Sequence, residues 1–230
     1  MSILASEASL ELHDGAKLTL EAFHQAYLEY PDHTRFELVE GIARMASPVY
    51  SDQVLVHKVI SYLGTTYDLS TPGVQFLAET SIRMGENNEF RPDGAMRVTD
   101  EFSGSCRLAE NRLFEGPPEL VIEVAGSSLN FDLNLKRRVY ARHGVEEYIV
   151  IDLANQTFYW FDFRSGEQRV PDADGVCRSR LFPGFWLSIP SVLGQDIAGA
   201  LPALQNGLAS AEHKTFVEEL ARRRVSSQNQ

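Results

Sequence analysis

The chain of 230 residues has little cysteine, no long apolar run and no excess of basic charge. Its two cysteines, Cys106 and Cys177, cannot build a disulfide scaffold or a four-thiolate zinc site, and they read as reduced thiols of a cytoplasmic protein. No stretch of about eighteen apolar residues exists, so no membrane-spanning helix is expected. The first twenty residues carry acids throughout and lack a basic segment ahead of an apolar one, which is not the pattern of a secretory leader. Lysine and arginine total 21 against 32 aspartates and glutamates, a net charge of −11. Such a surface repels phosphate backbones and excludes a general nucleic-acid coating protein. It leaves room for a local basic site, or for acids gathered around a metal. The glycines form neither a dinucleotide-binding fingerprint nor a phosphate-binding P-loop.

What is present supports one globular domain, since 43% of the residues are hydrophobic. Residues 1–17 are weakly patterned. A single domain is expected over 18–195, with a helical extension over 196–230 packed on it. A helix is predicted after Thr19, with Leu20, Phe23 and Tyr27 on one face and Pro31 beyond its end. RFELVEGIARM reads as a hairpin turning at Glu40-Gly41. A second helix starts at Ser51, with Leu55, Val59, Tyr62 and Leu63 as its apolar stripe and Gly64 or Pro72 marking its limit. Strands follow over 74–84 and 90–98, then a polar surface excursion over 99–118. ELVIEVAG is the densest strand signal. A helix over 131–143, ended by Gly144, leads to a hairpin made of EYIVIDL and TFYWFDF. A short strand, the FPGFWLSIP elbow and C-terminal helices close the chain, the last over 211–224. This order gives an α/β fold, a mixed β-sheet flanked by helices on both faces.

The informative residues are charges where apolar residues belong. In ELVIEVAG, Leu120, Ile122 and Val124 share one face, and Glu123 lies on the other between Val121 and Ala125. An unpaired carboxylate in a central strand costs several kcal/mol or becomes neutral, so it needs a cationic partner, a metal or a pocket open to water. In FRPDGAM, Pro92 marks a strand bend, which places Asp93 at the kink, and Gly94 admits a close neighbour. Carboxylates from neighbouring strands can share a divalent cation with a substrate phosphate and water. Lys136 follows Leu133 by three residues and precedes Tyr140 by four, on the inward edge of its helix. It could reach the strand-end acids, or pair with Asp132 on an exposed face. Arg137, Arg138 and Arg142 add a basic helix face that could meet a phosphate backbone. The aromatic run Phe158–Phe161 could stack on bases, but core or dimer packing accounts for it more simply.

With these residues placed, the chain resembles the Uma-two type of restriction-endonuclease-like proteins, a branch of the PD-(D/E)XK phosphodiesterases. The carriers are RFELVEGIARMASP, RPDGAMRV, PELVIEVAGSSLNFDLNLKRRVYARHGVEEYIVID and FPGFWL, in that order. The resemblance implies a restriction-endonuclease-like core, with Asp93 and Glu123 as the motif's two acids and ligands of Mg²⁺, for which Mn²⁺ could substitute. The superfamily lysine two residues after the second acid is replaced here by Ala125, and Lys136 stands for it from the following helix. Glu37 matches a further acidic position. Gln53 stands where many members have histidine, with His57 one turn later, which argues against a role for His57. The implied reaction is hydrolysis of DNA phosphodiesters by a homodimer, with Arg137 and Arg138 as substrate-binding residues. Two other readings stay open: a nuclease fold serving only for binding or oligomerisation, and a phosphodiesterase acting on RNA or a small substrate.

Overall fold

A computed structural model describes residues 12–30 and 35–227, with side chains to residue 224. The expectations for the start of the chain as far as residue 11, and for Pro31, lie outside these residues. Helix α1 (Leu20–Glu29) is capped by Thr19, whose hydroxyl accepts the amide of Ala22, and it buries Leu20 and Phe23. Strands β1 (Phe36–Val39) and β2 (Ile42–Met45) form the hairpin. Its two-residue turn places both Glu40 and Gly41 at positive φ, the geometry that matches strand twist. That turn sets Glu37 opposite Arg44. Ahead of α1, Leu12 and Ala16 are buried, and Lys17 bridges to Ile42.

Helix α2 (Ser51–Ser70) ends just before Pro72, the second of the two expected limits, and its buried face is rotated. Val56, Val59, Ile60, Leu63 and Tyr67 point inward, whereas Leu55 and Tyr62 are exposed. Apolar residues on both sides of this helix hid its true stripe. Gly64 does not end it. It lies mid-helix because a Cβ there would stand 2.4 Å from the Phe76 ring, a clash of the kind that costs about 1–3 kcal/mol.

Then come β3 (Val74–Ala78), β4 (Ile82–Arg83), β5 (Glu89–Phe90) and β6 (Gly94–Val98). The segment over 99–118 lies largely at the surface as expected, but it is not irregular throughout. It contains β7 (Arg107–Leu108) and β8 (Phe114–Glu115), and it buries Phe102 and Cys106. Two-residue strands are too short to show a period in sequence. Beyond β9 (Leu120–Ala125), one helical stretch runs from α3 (Leu129–Phe131) through a wide π segment, Asp132–Lys136, into α4 (Arg137–His143), where Gly144 at φ +98° ends it. The chain continues through β10 (Glu147–Asp152), β11 (Thr157–Asp162), β12 (Glu167–Arg169), β13 (Val176–Arg178) and β14 (Trp186–Ser188). It closes with α5 (Ile189–Leu193), α6 (Ile197–Leu208) and α7 (Ala211–Ser227).

The larger sheet has the order β12-β11-β10-β9-β6-β3, and it is mixed because β9 runs parallel to β10 and antiparallel to β6. A second sheet has the order β2-β1-β5-β4-β8-β7. One face of the larger sheet, through Leu120, Ile122, Ile149 and Trp160, packs with α2 and the C-terminal helices in the main core. The other face, through Val121, Ala125, Tyr148 and Val150, packs with α4 and part of the second sheet. The two sheets meet where β5 leads through Asp93 into β6. No helix among the described residues is long and apolar enough to cross a membrane.

Candidate active site

Strand β9 carries Glu123 on the α4 side of the larger sheet, and β6 lies beside it with Gly94 opposite Ile122. The bend at Pro92 therefore brings Asp93 to the end of β9. Asp93 Oδ2 accepts the amide of Val124 at 2.6 Å, which fixes the carboxylate against the strand. Glu37 arrives from the second sheet, with its Oε1 accepting the amide of Arg91 at 2.8 Å. Lys136 comes from the π segment, and its ammonium lies 2.7 Å from Glu37 Oε2 and 2.9 Å from Glu123 Oε1. Tyr140, one turn further on, donates its hydroxyl to the same Glu123 oxygen at 2.8 Å. The wide segment turns Asp132 inward as well, 3.9 Å from Lys136. Asp93, Glu123, Lys136 and Glu37 all line one pocket of about 310 Å³.

Three carboxylates, Glu37, Glu123 and Asp132, thus surround one ammonium. Burial alone would lower the Lys136 pKa, but Glu123, Glu37 and Asp132 outweigh it and hold the amine well above its usual range, so it stays charged. Burial pushes the Glu123 carboxyl up. Lys136 opposes that shift, while Asp132, Glu37 and Asp93 push the same way as burial. Asp132 is raised first by burial, again against Lys136. The carboxylate floor is short of positive charge.

Part of the pocket's wall is basic. Arg35, Arg44, Arg91 and His57 also line the pocket. Arg35 contacts Glu79 at 2.6 Å, Arg91 Nη2 lies 3.7 Å from the same carboxylate, and His57 Nδ1 lies 3.7 Å from it. His57 Nε2 is 3.2 Å from Asp93 Oδ1 but out of line for a well-formed hydrogen bond. Burial would lower the pKa of this imidazole, but Asp93 and Glu79 outweigh it and raise it above 6.5. Gln53, at the place where histidine was expected, is buried and structural. It donates to the Val124 carbonyl at 3.1 Å and accepts the amide of Tyr50.

The structure thus assembles the four residues named as catalytic. It does not bring Arg137 and Arg138 to the pocket: Arg137 stacks over the Phe161 ring at 4.8 Å, and Arg138 is exposed. Sequence reasoning missed the basic wall. Arg44 was readable, because the Glu40-Gly41 turn sets it opposite Glu37. Asp132 was read only as an exposed partner of Lys136, and the structure buries it. Arg35 and Arg91 carried no such signal, since their roles depend on contacts between distant segments.

Among the described residues, no three histidine, cysteine, aspartate or glutamate groups converge as a ready-made metal cage. The donor type and the charge deficit still fit a divalent cation held sparsely by oxygens, as magnesium is. Asp93 and Glu123 are the candidate ligands.

Residues 20–190, well over half of the chain, match the family model Uma2, described as "Putative restriction endonuclease". Among solved structures, a "putative nuclease belonging to DUF820" from Anabaena variabilis ATCC 29413 is similar at a TM-score of 0.56 and 16% identity, covering 74% of this chain and 97% of that one. At that identity the likeness concerns the fold. No curated protein matches.

Proposed function

The chain belongs to the Uma2 family of restriction-endonuclease-like proteins, and on that footing we propose that it is a metal-dependent nuclease hydrolysing DNA phosphodiesters at the pocket of Asp93, Glu123, Lys136 and Glu37. The observation that carries the reading is the pocket's mixed charge: a carboxylate floor short of positive charge shares the pocket with a wall of arginines. A floor of that kind suits a divalent cation, and a wall of that kind suits a phosphodiester. This local arrangement answers the net charge of −11, which concerns the whole surface.

Asp93 and Glu123 would hold Mg²⁺, or Mn²⁺ in its place, which supplies charge to the phosphoryl oxygens and makes water a better nucleophile. The Val124 amide fixes the Asp93 carboxylate, and His57 lies beside it. Lys136 stays charged, so it is no proton acceptor. Its role is to hold Glu37 and Glu123 and to stabilise negative charge developing on the phosphoryl group. Arg137 and Arg138, outside the pocket, would meet the backbone further along the strand.

A second reading, a nuclease fold without catalysis, is favoured by one observation: Lys136 satisfies Glu123 as a core ion pair would. One experiment separates the two. Plasmid, single-stranded DNA and RNA are incubated with Mg²⁺, Mn²⁺ or EDTA, alongside calorimetric titration of Mg²⁺. We expect metal binding and cleavage of DNA, both abolished in Asp93→Asn with the fold retained. Cleavage confined to RNA would change the substrate. Absence of metal binding in the wild type would leave the non-catalytic reading.

A further inference from the structure

Arg44 stands apart from the other cations of the pocket. Arg35 and Arg91 share Glu79, and Lys136 is held by Glu37 and Glu123. Arg44, on β2, lies directly across the hairpin from Glu37, the pairing in which opposite charges usually meet. They do not meet here. Both Glu37 oxygens are already engaged, one by the Arg91 amide and the other by Lys136. Asp14, the other acid at this end of the pocket, accepts the amide of Met45 through Oδ1. Arg44 Nε is buried without a hydrogen-bond partner, although Arg44 lines the pocket. Leaving a buried donor of a charged group unmade is costly. An incoming anion would remove that cost, and guanidinium suits a phosphate through paired donors.

We propose that Arg44 anchors an anion subsite that takes a backbone phosphate of the nucleic-acid strand, beside the one held at the carboxylate floor. This deepens the nuclease reading above and rests on it. The hairpin makes the subsite rigid: Glu37 and Arg44 are fixed in register, so the acid that helps hold Lys136 and the cation that takes the phosphate move as one unit. Arg44 is a binding and positioning residue. It sets where the strand lies relative to Asp93 and Glu123.

The test is direct binding of a fluorescent oligodeoxynucleotide to the full chain in EDTA, by anisotropy over a series of salt concentrations, with the wild type, Arg44→Gln and Arg44→Lys. Arg44→Gln should weaken binding about tenfold, the scale of one charge-assisted contact. It should also reduce the slope of log affinity against log salt by about one phosphate contact. Arg44→Lys should restore the slope but not the full affinity, because it returns the charge without the planar fork. The melting temperature of Arg44→Gln should equal or exceed that of the wild type, because the guanidinium has no partner among the described residues to lose. Inorganic phosphate, added as competitor, should displace the oligonucleotide less effectively from Arg44→Gln than from the wild type. Unchanged affinity and slope in Arg44→Gln, with a wild type that binds, would overturn the subsite alone. A wild type that binds neither DNA nor RNA oligonucleotides would overturn both the nuclease reading and the subsite.

Discussion

Lys136 is buried with three carboxylates around its ammonium, and its removal should be felt twice. Lys136→Ala leaves Glu37, Glu123 and Asp132 facing one another without compensation. Breaking a buried ion pair from one side costs about 3–5 kcal/mol. The melting temperature in EDTA should fall accordingly. Mg²⁺ should restore part of it by supplying the missing charge. Turnover should fall about a hundredfold or more, the scale of losing one preorganised charge donor, and Mg²⁺ should not restore it. Thermal melts with and without Mg²⁺, set beside single-turnover cleavage, read both effects. A variant as stable as the wild type in EDTA would show that the ammonium does not hold the carboxylates together. At this scale the sequence was informative where a charge stood among apolar neighbours. Glu123 between Val121 and Ala125 could not be an ordinary strand residue, and Lys136 shared a helix edge with Leu133 and Tyr140. The same logic failed for Asp132, whose spacing from Lys136 fits an exposed pair equally well. Only the π segment, which turns both inward, separates the two readings.

The helices and long strands were legible because each has a cap, a turn or a period. Thr19, Glu40-Gly41 and Gly144 mark boundaries by chemistry that acts locally. Two-residue strands such as β7 and β8 have neither, and they form because the second sheet offers them partners. Helix α7 shows how an element is fixed by one contact that no pattern signals. His213 is buried, with its Nδ1 3.0 Å from the Leu208 carbonyl and its Nε2 2.9 Å from Thr71 Oγ1 at the end of α2. A carbonyl only accepts, so Nδ1 carries the proton and the Thr71 hydroxyl donates to Nε2. This arrangement suits the neutral ring. Burial lowers its pKa below 6.5, with the Leu208 carbonyl opposing. The sign follows: the unfolded chain takes up the proton first as the pH drops. His213 therefore contributes stability above pH 6.5 that is lost as the pH falls from there through its lowered folded value. Melting temperatures of the wild type between about pH 7.5 and pH 5 should fall more steeply than those of His213→Gln. Parallel curves would mean that this contact does not titrate in the folded chain.

At the scale of the molecule, the two sheets divide the work. The larger sheet carries Glu123 in its middle, and the second brings Glu37 and Arg44 to the same place on one hairpin. Duplex cleavage needs two such sites, and each chain supplies one set of Asp93, Glu123 and Lys136, so we expect a homodimer related by a two-fold axis. The surface that fits this role lies on β11 and just beyond it. Tyr159, Phe161 and Phe163 form a stacked row with ring planes within 6° and 10° of parallel, and all three are half-buried. The alternate residue Trp160 is fully buried in the main core, while the row packs on the second core beside Tyr148 and keeps part of each ring exposed. A stable interface buries about 800 Å² on each partner, more than the row alone provides, so neighbouring residues must take part. Sedimentation at micromolar concentration should give twice 25.8 kDa for the wild type. Phe161→Asp, at the centre of the row, should shift it toward a single chain while sparing Mg²⁺ binding, because Phe161 does not line the pocket. A wild type of single-chain mass would remove the dimer, and a dimeric Phe161→Asp would move the interface to another surface.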